Sequence, residues 1–175
     1  MRHQHIVRQG GGHDAPSGYP QGVQWIWDFA SQYNLDGLID CSGPTTYCQA
    51  APNSNGAGAL ISLSGSPCVS ANDLILDVVG ASGSQPGIFY YGPNQVEVPF
   101  GAGYRCVGGA VKRLPVLFTD SFGDASYALD LSNPSLPTST IAVGDVWNFQ
   151  FWYRDPQGAS GSFNLSDALN VPFTP

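Results

Sequence analysis

From Ala59 onward the chain is cut by Gly, Pro, Asn and Asp into nine strand-length segments, at 60–64, 73–79, 87–91, 95–99, 104–107, 111–119, 125–131, 146–153 and 168–173. Breaks at that spacing leave no room for the helices of βαβ units and predict antiparallel strands in a sandwich or barrel. The clearest segment is 146–153. Successive side chains of a strand point to opposite faces, so Trp147, Phe149, Phe151 and Tyr153 share one side while Asn148, Gln150 and Trp152 share the other. Segment 73–79 alternates in the same way, Leu74, Leu76 and Val78 against Asp73, Ile75 and Asp77. Gly92-Pro93-Asn94 carries turn chemistry, and Ser121-Phe122-Gly123-Asp124 is expected to close a hairpin. The fold class that follows is mainly β, a jelly-roll-like antiparallel sandwich.

The first forty residues read differently. In 21–33, Val23, Trp25, Ile26, Phe29 and Tyr33 recur at three- and four-residue steps, which predicts one amphipathic N-terminal helix. Gly18, Pro20 and Gly22 crowd its start, and Asn34 and Gly37 can end it. Residues 41–58 are rich in Ser, Gly, Pro, Thr and Asn and read as a linker or long loop. The expected organisation is therefore an appendage at 1–40, a linker at 41–58 and a sandwich domain at 59–175.

Charge restricts the partners. Six basic against thirteen acidic residues give a net charge of -7, which argues against nucleic acid or an anionic membrane, since both need clustered Lys and Arg. No apolar run approaches the roughly 20 residues of a membrane span. Four cysteines, Cys41, Cys48, Cys68 and Cys106, form no C-x-x-C pair and have no zinc-finger spacing. Their even number in a Gly- and Ser-rich chain favours two disulfides and an oxidising compartment, extracellular or periplasmic in origin; free buried thiols are the alternative. Of the three pairings, Cys41–Cys48 with Cys68–Cys106 is expected, because the first closes a short Pro-containing loop. Met1-Arg2-His3-Gln4-His5 leads into no apolar stretch, so the chain is expected to be the downstream piece of something longer.

Three local resemblances bear on function. Gln9-Gly10-Gly11-Gly12-His13-Asp14-Ala15-Pro16, followed by the Trp25/Trp27/Phe29 run, resembles the tail of secreted α/β-hydrolase esterases of the polyhydroxyalkanoate-depolymerase and feruloyl-esterase kind. That likeness implies a catalytic-histidine position at His13, yet no G-x-S-x-G nucleophile elbow stands anywhere in the chain. Residues 34–41, Asn34-Leu35-Asp36-Gly37-Leu38-Ile39-Asp40-Cys41, resemble half of a calcium loop of the EF-hand, dockerin or thrombospondin-type-3 style. The likeness implies Ca2+ held by side-chain oxygens of Asn34, Asp36 and Asp40 and the backbone carbonyl of Leu38. It departs at Gln32, where the leading Asp should be, and at Gly43, where a closing Glu should be. From about Tyr47 onward the chain resembles a β-sandwich module recurrent at the C-termini of secreted planctomycete-type proteins. The marks include Phe89-Tyr90-Tyr91-Gly92-Pro93-Asn94, Arg105-Cys106-Val107-Gly108-Gly109 and Trp147 through Pro156. This module brings an architecture and no established activity.

Aromatic platforms beside fixed hydrogen-bonding groups are what a sugar- or polymer-binding face requires. Tyr90, Tyr91, Asn94, Trp152, Arg154 and Asp155 supply both kinds of group and are the candidate ligand-binding residues. Arg154 paired with Asp155 or Asp167 is the expected structural ion pair. The expected function is an extracellular accessory module for a glycan or polymer surface, supported by calcium. The alternative is a small calcium-dependent hydrolase of esters or lactones using His13 with Asp14 or with Asp36 and Asp40, and a third reading is a purely structural domain with no ligand.

Overall fold

The computed structural model describes residues 43–133, 137–158 and 162–175, together with the short pieces 33–34 and 37–38. The chain divides into two compact units, Met1–Cys41 and Ser42–Pro175. In the first, β1 (Tyr33–Asn34) pairs antiparallel with β2 (Gly37–Leu38), Asn34 opposite Gly37 and Tyr33 opposite Leu38. Tyr33, expected at the end of the helix, stands in this strand, and the rest of the helix at 21–33 lies outside the described residues.

The second unit carries ten strands: β3 (Thr45–Tyr47), β4 (Leu60–Ser64), β5 (Ile75–Val79), β6 (Pro86–Gly92), β7 (Asn94–Phe100), β8 (Gly103–Gly108), β9 (Lys112–Phe118), β10 (Ala125–Ala128), β11 (Val146–Arg154) and β12 (Phe163–Pro172). They form a three-stranded sheet in the order β10-β5-β4, a five-stranded sheet in the order β3-β12-β11-β6-β9, and the ribbon β7-β8; every pairing is antiparallel. The fold is thus mainly β, as the strand spacing predicts.

Alternation along the strands decides how these pieces stack. Ile61, Leu76 and Val78 from the small sheet meet Phe89, Tyr91, Phe149, Phe151, Tyr153, Leu169 and Val171 from the large one in a single buried cluster. Its aromatic rings touch directly, with Phe89 and Phe151 at 4.6 Å and Tyr91 and Phe149 at 5.2 Å between centroids. Each such side chain contributes about 1.5–3 kcal/mol of burial, so this seam dominates the domain's stability. The opposite face of the large sheet is covered as well. Tyr90, Leu165 and Ala168 pack there against Cys106 and Val107 of β8, so the ribbon forms a partial third layer.

Polar groups fasten the layers. Gln150, fully buried, donates from Nε2 to the carbonyls of Tyr104 at 2.9 Å and Ser166 at 2.7 Å. Its Oε1 accepts the Cys106 N–H at 2.9 Å and the Tyr90 hydroxyl, so all four of its hydrogen-bonding positions are used. Asp155, 1% exposed, accepts the Ser54 N–H at 3.2 Å and the hydroxyls of Ser54 and Ser82. A bulge in β12 places three residue steps, from Leu165 to Ala168, opposite two on β11. The Ser166 hydroxyl fills this gap by accepting the Phe151 N–H at 3.0 Å, and Asp167 crosses to the small sheet to accept the Ile61 N–H at 2.7 Å. Burial raises the Asp167 carboxyl above its ordinary pKa.

Several expectations change. Within residues 41–58, expected to be a linker or long loop, residues 45–47 form an edge strand on β12, and Asn53 and Ser54 anchor on Tyr153 and Asp155. The 121–124 turn closes no hairpin: β9 ends in the large sheet and β10 begins in the small one. The Asp120 carboxylate holds that corner by accepting the N–H groups of Phe122 and Asp124, and Gly123 sits at φ +89 with its Cβ position 1.8 Å from the Ala81 carbonyl oxygen. Any side chain there would drive the corner apart. The disulfide is Cys48–Cys106, with Cα atoms 6.3 Å apart, rather than Cys41–Cys48 and Cys68–Cys106. Short loop spacing misled because Cys48 lies under the ribbon, where the neighbouring Tyr47 hydroxyl also donates to the Cys106 carbonyl at 2.8 Å. Cys68 carries no disulfide among the described residues, and Cys41 lies outside them.

Candidate functional site

The ribbon covers only part of the five-stranded sheet. Cross-strand register runs Leu165, Trp152, Ile88, Val116 across β12, β11, β6 and β9 on the outer face. Leu165 is buried, Trp152 and Ile88 are half-exposed and Val116 is 67% exposed, so the row emerges from beneath the ribbon toward the β9 edge. β9 can carry Pro115 because it is an edge strand with a register shift at this point, where no ladder N–H is required.

Trp152 is the hinge of this surface. Its ring meets Phe163 edge-on at 5.6 Å and Phe100 at 6.0 Å, and those two rings are 5.2 Å apart. The corner that delivers Phe100 depends on Gly101, at φ +64, whose Cβ position would lie 2.1 Å from the Phe163 ring. On one side of Trp152 lies a hollow of ≈ 150 Å³ lined by Tyr90, Phe100, Arg105, Val111, Arg113 and Leu165. On the other lies a shallower hollow of ≈ 280 Å³ lined by Pro86, Ile88, Val116 and Arg154 among others.

The described residues contain three arginines, and all of them stand around this tryptophan. The Arg113 guanidinium is 6.0 Å from the Trp152 ring, within cation–π range. Among the described residues none of the three has a carboxylate within ion-pair distance, so the expected Arg154–Asp155 or Arg154–Asp167 pair is absent. The fourth described cation, Lys112, faces elsewhere, over Trp147 at 5.6 Å and Tyr91 at 6.0 Å. Three carboxylates stand on or beside the small sheet. Asp77 accepts the hydroxyls of Ser64 and Ser126, Asp124 the Gly80 N–H, and Asp73 the Ser66 N–H.

Of the six ligand-binding candidates, the structure brings Tyr90, Trp152 and Arg154 to these hollows. Tyr90 lends its ring while its hydroxyl is committed to Gln150, and burial pushes that phenol up in pKa. Tyr91 faces the main core on the opposite side, Asn94 is exposed at the β6–β7 corner, and Asp155 is the buried anchor of the 53–56 turn. None of these three lines either hollow. Sequence reasoning missed Phe100, Arg105 and Arg113; the scarcity of basic residues in an acidic chain was the signal that could have flagged the arginines.

His13, Asp14, Asp36 and Asp40 lie outside the described residues, and of Asn34 and Leu38 only the backbone pairing of β1 and β2 is described. No group of three or more His, Cys, Asp or Glu that could hold a metal ion occurs among the described residues. No family model, curated protein or solved structure matches the chain.

Proposed function

We propose that this domain is an extracellular accessory module that binds a glycan or polymer surface through the outer face of its five-stranded sheet. The observation that supports this reading is Trp152, a half-exposed ring held by Phe100 and Phe163 between two adjoining hollows. A rigid ring on a strand can stack on a sugar at little entropic cost, and two neighbouring hollows offer consecutive positions along a chain. The apolar strip continues over Ile88, Val116 and Phe118, the last 70% exposed, which suits an extended ligand better than an isolated small molecule. Calcium held at Asn34, Asp36, Leu38 and Asp40 is carried as a support to the leading unit, and a shift of its melting temperature by EGTA tests it.

Retention on a panel of insoluble and gel-embedded polysaccharides is the direct test. The wild-type chain is expected to be retained by at least one of them and Trp152→Ala, assayed below its own melting transition, to elute freely. Equal retention of the variant would remove Trp152 from the site.

A further inference from the structure

The chemistry of the smaller hollow is one-sided. Of its lining groups, Arg105, Arg113 and the Trp152 indole N–H can only donate hydrogen bonds, and Tyr90 spends its hydroxyl on Gln150. The amides nearby are also committed. Gln150 is saturated, and Asn148 binds Gln95, Asn170 and the Gly92 and Pro93 carbonyls. Asn164 turns inward to the carbonyls of Ala51 and Pro52. A neutral sugar presents hydroxyls that need acceptors as well as donors, whereas the charged side chains of this lining only donate; a carboxylate or sulfate only accepts.

Size and charge agree. A cavity of about 150 Å³ accommodates one six-membered ring, the size at which an apolar protein cavity takes benzene. Two guanidiniums, neither with a carboxylate partner among the described residues, flank that volume, and each can make charge-assisted hydrogen bonds to an anion. Asp73, Asp77 and Asp124 are tied down on or beside the small sheet, beyond the main core, whereas Glu97 stands exposed on β7 of the ribbon without lining the hollow.

Resting on the binding reading above, we propose that the ligand is an acidic polysaccharide, with the carboxylate or sulfate of one sugar held by Arg105 and Arg113 while its ring stacks on Trp152. Arg154 beside the second hollow is then placed for the charge of a neighbouring sugar.

Affinity electrophoresis through gels containing polygalacturonate, a sulfated galactan or a neutral galactan tests this. Retardation is expected in one or both acidic gels and not in the neutral one, and the gel that retards identifies carboxylate or sulfate. Arg105→Gln and Arg113→Gln are each expected to weaken binding at least about tenfold, with melting temperatures unchanged because both side chains are exposed. Retardation by neutral galactan equal to that by the acidic polymers, untouched by the arginine substitutions but lost in Trp152→Ala, would overturn the anionic assignment and leave the binding face standing. Absence of retardation in every gel would overturn both.

Discussion

The side-chain oxygen of Gln150, at the centre of β11, accepts the backbone N–H of Cys106 on β8 at 2.9 Å. One buried amide thereby fastens the five-stranded sheet to the ribbon that walls the candidate site. Leucine of similar size at this position would leave the Cys106 N–H, the Tyr90 hydroxyl and the Tyr104 and Ser166 carbonyls without it. Gln150→Leu is therefore expected to cost about 3 kcal/mol or more in urea unfolding. Gln150→Glu sets an oxygen against two carbonyls, so its carboxyl should titrate above the ordinary range. That variant should regain stability as pH falls, and a pH-independent loss would show that the amide is not hydrogen-bonded as described.

The disulfide has the same two layers at its ends. Closing a loop of 58 residues removes denatured-state entropy worth about 4 kcal/mol in the chain-entropy model. Reduction, or Cys48→Ala with Cys106→Ala, should lower the unfolding midpoint accordingly. Peptide mapping of the oxidised protein should join the peptides of Cys48 and Cys106, and a Cys41–Cys48 peptide would contradict the layer arrangement.

Alkaline stability should report on Tyr153. Burial first, then the charge of Asp155, lifts its phenol, while the Asn53 amide at 2.8 Å lowers it, leaving a pKa of about 12. Because the folded pKa lies above the ordinary value near 10, the folded state holds the proton more tightly than the unfolded one. Stability is then lost as pH rises from about 10 to 12, by roughly 2–3 kcal/mol from this group. The buried phenols of Tyr47 and Tyr90 shift the same way. Denaturant melts between pH 9 and 12 check this, and Tyr153→Phe should flatten part of the slope.

Asp155 separates stability from binding. Asp155→Ala strips the acceptor from Ser54 and Ser82 in a buried place and should cost about 2–3 kcal/mol. Polymer retention below the melting transition should stay as in the wild type, because Asp155 lines neither hollow. Lost retention in a folded variant would return it to the site.

Much of the sandwich is legible in the sequence because period-2 alternation and Gly/Pro punctuation are local signals. Leu74, Leu76 and Val78 face the core as their alternation requires, and so do Phe149, Phe151 and Tyr153. Segment 168–173 came out too short, since the bulge at Ser166 and Asp167 breaks the alternation and hides the first half of β12. Trp152 could be read as opposite to the core aromatics, but Arg105 and Arg113 could not be joined to it. They sit 47 and 39 positions away and meet it only through the β8 ribbon and the β6–β9 pairing. Asp155 misled for a related reason: its partners Ser54 and Ser82 are over 70 residues distant. The third layer itself depends on a disulfide and a buried amide, neither of which leaves a periodic trace.

Backbone and indole NMR shifts, followed while a soluble oligosaccharide of the retained polymer is added, test the binding face most directly. The Trp152 indole N–H, Phe100 and Arg113 should move together and saturate, while Asp77 and Asp124 on the small sheet stay fixed. Saturable shifts confined to the small sheet, with the Trp152 indole unmoved, would contradict the assignment.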